Sequence, residues 1–99
     1  MKILVKRGRK AFPCVVDSED IREDAYFAHR NKVPRAVCVK AMVFRLHRDR
    51  APDYLRVMPE DMAQDLEALR AQIRGLQARC HEIIDEAWVR SEPYVVPKP

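Results

Sequence analysis

From Met62 to Ala87 apolar residues return at alternating steps of four and three: Met62, Leu66, Leu69, Ile73, Leu76, Cys80, Ile83 and Ala87. That is a 3.5-residue period, the spacing at which one face of a helix stays apolar and must be covered by other helices. Pro59, Glu60 and Asp61 stand at its start, where a proline fits the first turn and carboxylates meet the positive end of the helix dipole. The stretch "SEPYVVPKP" closes it after Arg90. The spacing predicts one long assembly helix over residues 59–90, followed by an extended tail over 91–99. Gly75 lies off the stripe and costs roughly 1 kcal/mol of helix propensity. Ile84 and Trp88 widen the stripe, which suits a bundle better than a bare two-stranded coil. A chain of 99 residues has a thin core, so self-association through this seam is expected to supplement packing within the chain.

The remaining residues, 1–58, form a basic N-terminal region. "KILVK" and "FPCVV" are β-branched runs separated by a connector that holds Gly8, and residues 2–16 therefore read as a hairpin with Pro13 on an edge or outside the ladder. Asp17 and Ser18 offer capping oxygens before "EDIREDAYFAHR", which reads as a helix over about 18–30. In "VPRAVCVKAMVFRLHRDR", Pro34 suits a first helical position, and Cys38, Val39, Met42, Val43 and Leu46 share one helical face. Valines at 33, 37, 39 and 43 favour a strand instead, so residues 35–47 have two readings, of which helix is preferred.

Taken together, "FAHRNKVPRAVCVKA" resembles a helix-turn-helix over about fifteen residues. Ala28 occupies the small site of the first helix, Val33 follows the turn, and Val37, Cys38 and Ala41 fix the second helix. Arg35, Lys40 and Arg48 would then supply donors to phosphates or guanine. The sequence departs from the motif in placing Lys32 where the turn glycine usually stands. It also places Val37 and Phe44 on the outward side, and two large hydrophobes there suit a protein partner better than a DNA groove. Tyr94, in the tail, joins them as a candidate partner face. The cluster Lys6, Arg7, Arg9 and Lys10 is the other candidate phosphate site.

Charge supports contact with an acidic partner. Residues 1–58 hold fourteen Lys and Arg against seven Asp and Glu, while residues 59–99 hold five against eight. Three cysteines at wide spacing, Cys14, Cys38 and Cys80, form no C-x-x-C pair and read as buried small hydrophobes in a reducing, cytoplasmic setting. There is no apolar run of membrane-spanning length. "HEIID" opens like the zinc-protease H-E-x-x-H, but Asp85 stands in place of the second histidine. Cys80 and His81 are neighbours on a helix and point about 100° apart, which excludes a nucleophile–base pair.

These observations predict a mainly α (α+β) fold with a short N-terminal hairpin, two short helices and one long C-terminal helix. No catalytic residue, metal ligand, cofactor or small-molecule substrate is expected. The size and scarcity of motifs resemble the small accessory proteins of bacteria and phages that act by contact. The function these features point to is a non-enzymatic protein-interaction module, an adaptor, inhibitor or assembly subunit that self-associates through the seam; the alternative is an oligomeric helix-turn-helix-like regulator that binds nucleic acid through its basic half.

Overall fold

The structure, a computed structural model, describes residues 1–47, 54–72 and 77–98. The N-terminal hairpin forms as expected: β1 (Lys2–Val5) pairs antiparallel with β2 (Cys14–Asp17), with Leu4 opposite Val15 and Ile3 opposite Val16. Its other edge pairs with β6 (Leu55–Val57), and β6 in turn pairs with β7 (Glu92–Pro93), giving a four-stranded sheet in the order β2-β1-β6-β7. The prolines Pro13 and Pro93 lie next to or on the two outer strands, where a missing N–H removes no central ladder bond.

A second, three-stranded sheet is built from β3 (Arg22–Glu23), β4 (Arg35–Val39) and β5 (Met42–Leu46), all antiparallel. This overturns the helical reading of 35–47 and with it the helix-turn-helix. Val39 pairs with Met42 across a two-residue turn, Lys40–Ala41, in which Lys40 takes a positive φ of 55°. The helix expected over 18–30 is also shorter: a 3-10 turn (Ser18–Asp20) and β3 precede α1 (Ala25–Arg30). Asp24, rather than Asp17 or Ser18, caps α1, its carboxylate accepting the Phe27 N–H at 2.9 Å. At the other end the Val33 and Lys32 amides donate to the Ala28 and His29 carbonyls at 3.0 and 3.3 Å, with Lys32 at φ 55°. That is a Schellman ending with lysine where glycine is usual.

The predicted long helix is two helices, α2 (Glu60–Ala71) and α3 (Gln77–Arg90). Gln72 leaves helical geometry with ψ 165°, and Arg90 reaches back to Asp61 at 3.3 Å, so the helices run antiparallel as a hairpin. The start at Pro59–Asp61 and the end at Arg90 are where the sequence places them. Mainly helical is therefore the wrong class: two antiparallel sheets and a helical hairpin share the chain.

Alternation along β1 explains the layering. Leu4 turns toward α2 and α3 and joins Met58, Met62, Leu66, Cys80, Ile83, Ile84 and Ala87 in one core. Ile3 and Val5 turn the other way and meet Val16, Val37, Val39, Leu46, Leu55 and Tyr94 in a second core between the sheets. A strand covered on both faces reads as an unbroken apolar run, as "ILV" does. α1 packs against β4 on the outer face of the second sheet, where Arg45 lies over the Phe27 ring at 5.7 Å. Among the described residues no helix is long and apolar enough to cross a membrane.

Candidate nucleic-acid interface

The loop joining β1 to β2 lies against α3. At its start the Lys6 ammonium sits 4.4 Å from the centre of the Trp88 ring, and at its end the Phe12 ring lies 5.0 Å from that of His81, tilted by 52°. His81 and Trp88 are seven residues apart, two helical turns along one face, so the loop is pinned at both ends along the helix. Trp88 is itself fixed from below. Arg56 on β6 stacks at 5.5 Å from it and donates through Nε to the Ser91 hydroxyl at 2.6 Å. The Arg56 guanidinium also donates to the Ser91 carbonyl, while the buried Ser91 hydroxyl donates to the Trp88 carbonyl at 2.6 Å. Cations over an indole face are attracted by its quadrupole, with about 0.5–1 kcal/mol each at an exposed site.

Between the pinned ends, Arg7, Arg9 and Lys10 point into solvent, and Phe12 keeps 48% of its surface exposed. Among the described residues no carboxylate pairs with these three cations. Asp85 shares the helix face of His81 and Trp88, and Glu82 is held by Arg79 at 3.1 Å. The loop is thus a fixed, positively charged rim with an aromatic ring at one end.

A second basic patch surrounds α1. An open groove of about 780 Å³ is lined by Tyr26, Ala28, His29, Arg30, Lys32 and Val33. Tyr26 is exposed, but its hydroxyl accepts a hydrogen bond from Arg30 at 3.0 Å, and His29 and Arg30 occupy the last helical turn, where cations answer the helix dipole.

The other predicted site residues have structural places. Arg35 clamps the tail: its guanidinium donates to the Val96 carbonyl at 3.1 Å and the Pro97 carbonyl at 2.7 Å and pairs with Glu23. Lys40 is exposed in the β4–β5 turn, and Arg48 lies outside the described residues. Val37, Phe44 and Tyr94 do come together, with Val37 opposite Phe44 in the ladder, but in the core between the sheets rather than on a surface. Of the seam, Met62, Leu66, Cys80, Ile83 and Ala87 are buried in the chain's own core, Leu69 packs at its edge, and Ile73 and Leu76 lie outside the described residues. Only Cys80 of the cysteines is buried; Cys38 is half-buried, its thiol donating to the Lys40 carbonyl at 3.2 Å, and Cys14 is exposed. All three are free thiols.

Sequence reasoning missed Arg56 and Phe12 and used Trp88 only as part of the helix stripe. Arg56 meets Trp88 because β6 pairs with β1, with Leu4 opposite Arg56, a pairing across more than fifty residues that no local pattern announces. Among the described residues no three His, Cys, Asp or Glu side chains gather as a metal site. Comparison with protein-family models, with curated proteins and with solved structures gives no match.

Proposed function

We propose that this chain is a small non-enzymatic module that binds the phosphate backbone of nucleic acid through the β1–β2 loop. The observation that carries this reading is the exposure of Arg7, Arg9 and Lys10 on a loop held in place at Lys6 and Phe12. A fixed row of cations releases condensed counterions when phosphates replace them, and fixing the loop beforehand reduces the entropy lost on binding. This reading keeps the basic N-terminal region as the contact and gives up the recognition helix. The test is fluorescence anisotropy of a labelled 20-nucleotide DNA, single-stranded and duplex, at about 50 and 200 mM salt. Binding that weakens steeply with salt, with a shallower slope in Arg7→Ala/Arg9→Ala/Lys10→Ala, is the expected result. Absence of binding at 50 mM defeats the reading.

A protein-interaction module is the second reading. Its support is the pair of valines near the chain's end, Val89 on α3 and Val95 in the tail, which keep 79% and 73% of their surface exposed. If they mediate self-association, Val89→Lys/Val95→Lys lowers the mass seen by light scattering; an unchanged mass removes this reading.

A further inference from the structure

Resting on the nucleic-acid reading, we infer that the preferred ligand of the β1–β2 loop is a single strand, with one unpaired base stacking on Phe12. Three observations meet here. Phe12 is the one aromatic ring of the loop, it stands two residues after Lys10, and about half of it faces solvent. The ring is not loose, since His81 of α3 supports it from one side. Trp88 cannot serve in its place, because Lys6 and Arg56 already lie over its ring.

The chemistry separates the two kinds of nucleic acid. Duplex DNA offers phosphates at its surface but keeps its base faces stacked inside, so an exposed phenyl ring beside phosphate-binding cations gains nothing from a duplex. A single strand presents both phosphates and open base faces, and every base has a π-face, so such a ring captures it with little sequence preference. Cations at Arg7, Arg9 and Lys10 followed by a ring at Phe12 are the combination of backbone groove and stacking platform that single-strand binding requires.

The experiment compares oligo(dT) of 20 nucleotides with a 20-base-pair duplex at about 150 mM salt, using the full chain and the variants Phe12→Ala and Phe12→Tyr. Trp88, the sole tryptophan, reports binding by its own fluorescence alongside anisotropy, and circular dichroism checks that each variant is folded. The expected result is tighter binding of oligo(dT) than of duplex. Phe12→Ala should lower the oligo(dT) affinity roughly five- to hundredfold, the range for loss of one base–aromatic stack, with duplex affinity unchanged and Phe12→Tyr close to the parent. Equal affinity for the two ligands, or an equal loss on both in Phe12→Ala, overturns the inference while leaving backbone binding in place. Failure to bind either ligand, even at 50 mM salt, overturns the backbone reading and this inference with it.

Discussion

Arg35 and Arg56 sit on strands in the two sheets and turn their guanidiniums inward, onto carbonyls at 96 and 97 and onto Ser91. Arg7, Arg9 and Lys10 sit on a loop and turn outward, meeting no carboxylate among the described residues. The same chemistry therefore serves two ends, and what separates them is the register of the neighbouring strands. Arg56 faces Leu4 and lies over the helix side of the sheet, where only a cation with several donors can satisfy Ser91 and cover Trp88 together. A strand fixes its side chains by alternation, whereas the loop, pinned at its two ends, leaves the cations between them available.

The contrast can be broken most sharply at Arg56. Arg56→Ala removes charge-assisted hydrogen bonds and a cation–π contact, and a loss of about 3 kcal/mol is expected, on the order of 15 °C in Tm. Thermal unfolding by circular dichroism measures it, and a shift of a degree or two would place Arg56 with the outward cations. Conversely, Arg9→Ala/Lys10→Ala should leave stability within about 0.5 kcal/mol while cutting the salt slope of nucleic-acid binding by about 1.5. Urea unfolding and anisotropy separate the two effects, and a lower urea midpoint would mean the loop cations also hold the fold.

Lys32 sharpens the comparison from between the classes. It holds a positive φ that glycine adopts freely, and its side chain faces the α1 groove. Lys32→Gly should raise stability by up to about 1 kcal/mol, and a destabilised variant would show that its aliphatic stem or charge supports α1. The smallest effect belongs to the surface pair of Lys2 and Asp17, 2.8 Å apart. The hydrogen bond that the Lys2 ammonium donates to the Asp17 carboxylate holds the Asp17 carboxyl below the usual carboxylate range and raises Lys2. Their contribution is present above the ordinary aspartate value near pH 4 and lost as pH falls through the depressed folded value. On the basic side it is complete below about pH 10 and lost as pH rises through the raised lysine value. Asp17→Asn should flatten the acid limb of a stability–pH profile slightly, and an unchanged limb would show that solvent screens the pair entirely.

What could be read from residues alone follows the same division between local and distant causes. The first hairpin and both outer ends of the helical hairpin are local: β-branched runs around Gly8, Pro59 with two carboxylates, and Arg90 before the serine and proline. Residues 35–39 misled because α1 covers the outer face of β4 while the intersheet core covers the inner one, so Ala36, Val37 and Val39 are all buried and the period of two disappears. The turn that joins β4 to β5, Lys40–Ala41, lacks the Asn-Gly or Asp-Gly signature of two-residue hairpins. In the C-terminal half the 3.5-residue stripe runs on past the break, because both arms of the hairpin bury the same kind of face against one sheet. Of the candidate site, the loop cations were legible as charge; their aromatic support depended on which strand lay beside which.

β7 joins the first sheet beside β6, and the Tyr94 amide closes onto the Leu55 carbonyl at 2.9 Å while its ring fills the intersheet core. During synthesis, then, β1 emerges before its partners and stays half-finished: it can pair with β2 soon after, must wait for β6, and sees its sheet completed only when the segment after α3 arrives. Contacts this distant along the chain slow folding and leave apolar strands open in the meantime. A nascent chain halted after α3 would leave Leu55 and its neighbours without β7 and the Tyr94 ring, an open edge and an open core at which newly made chains can meet.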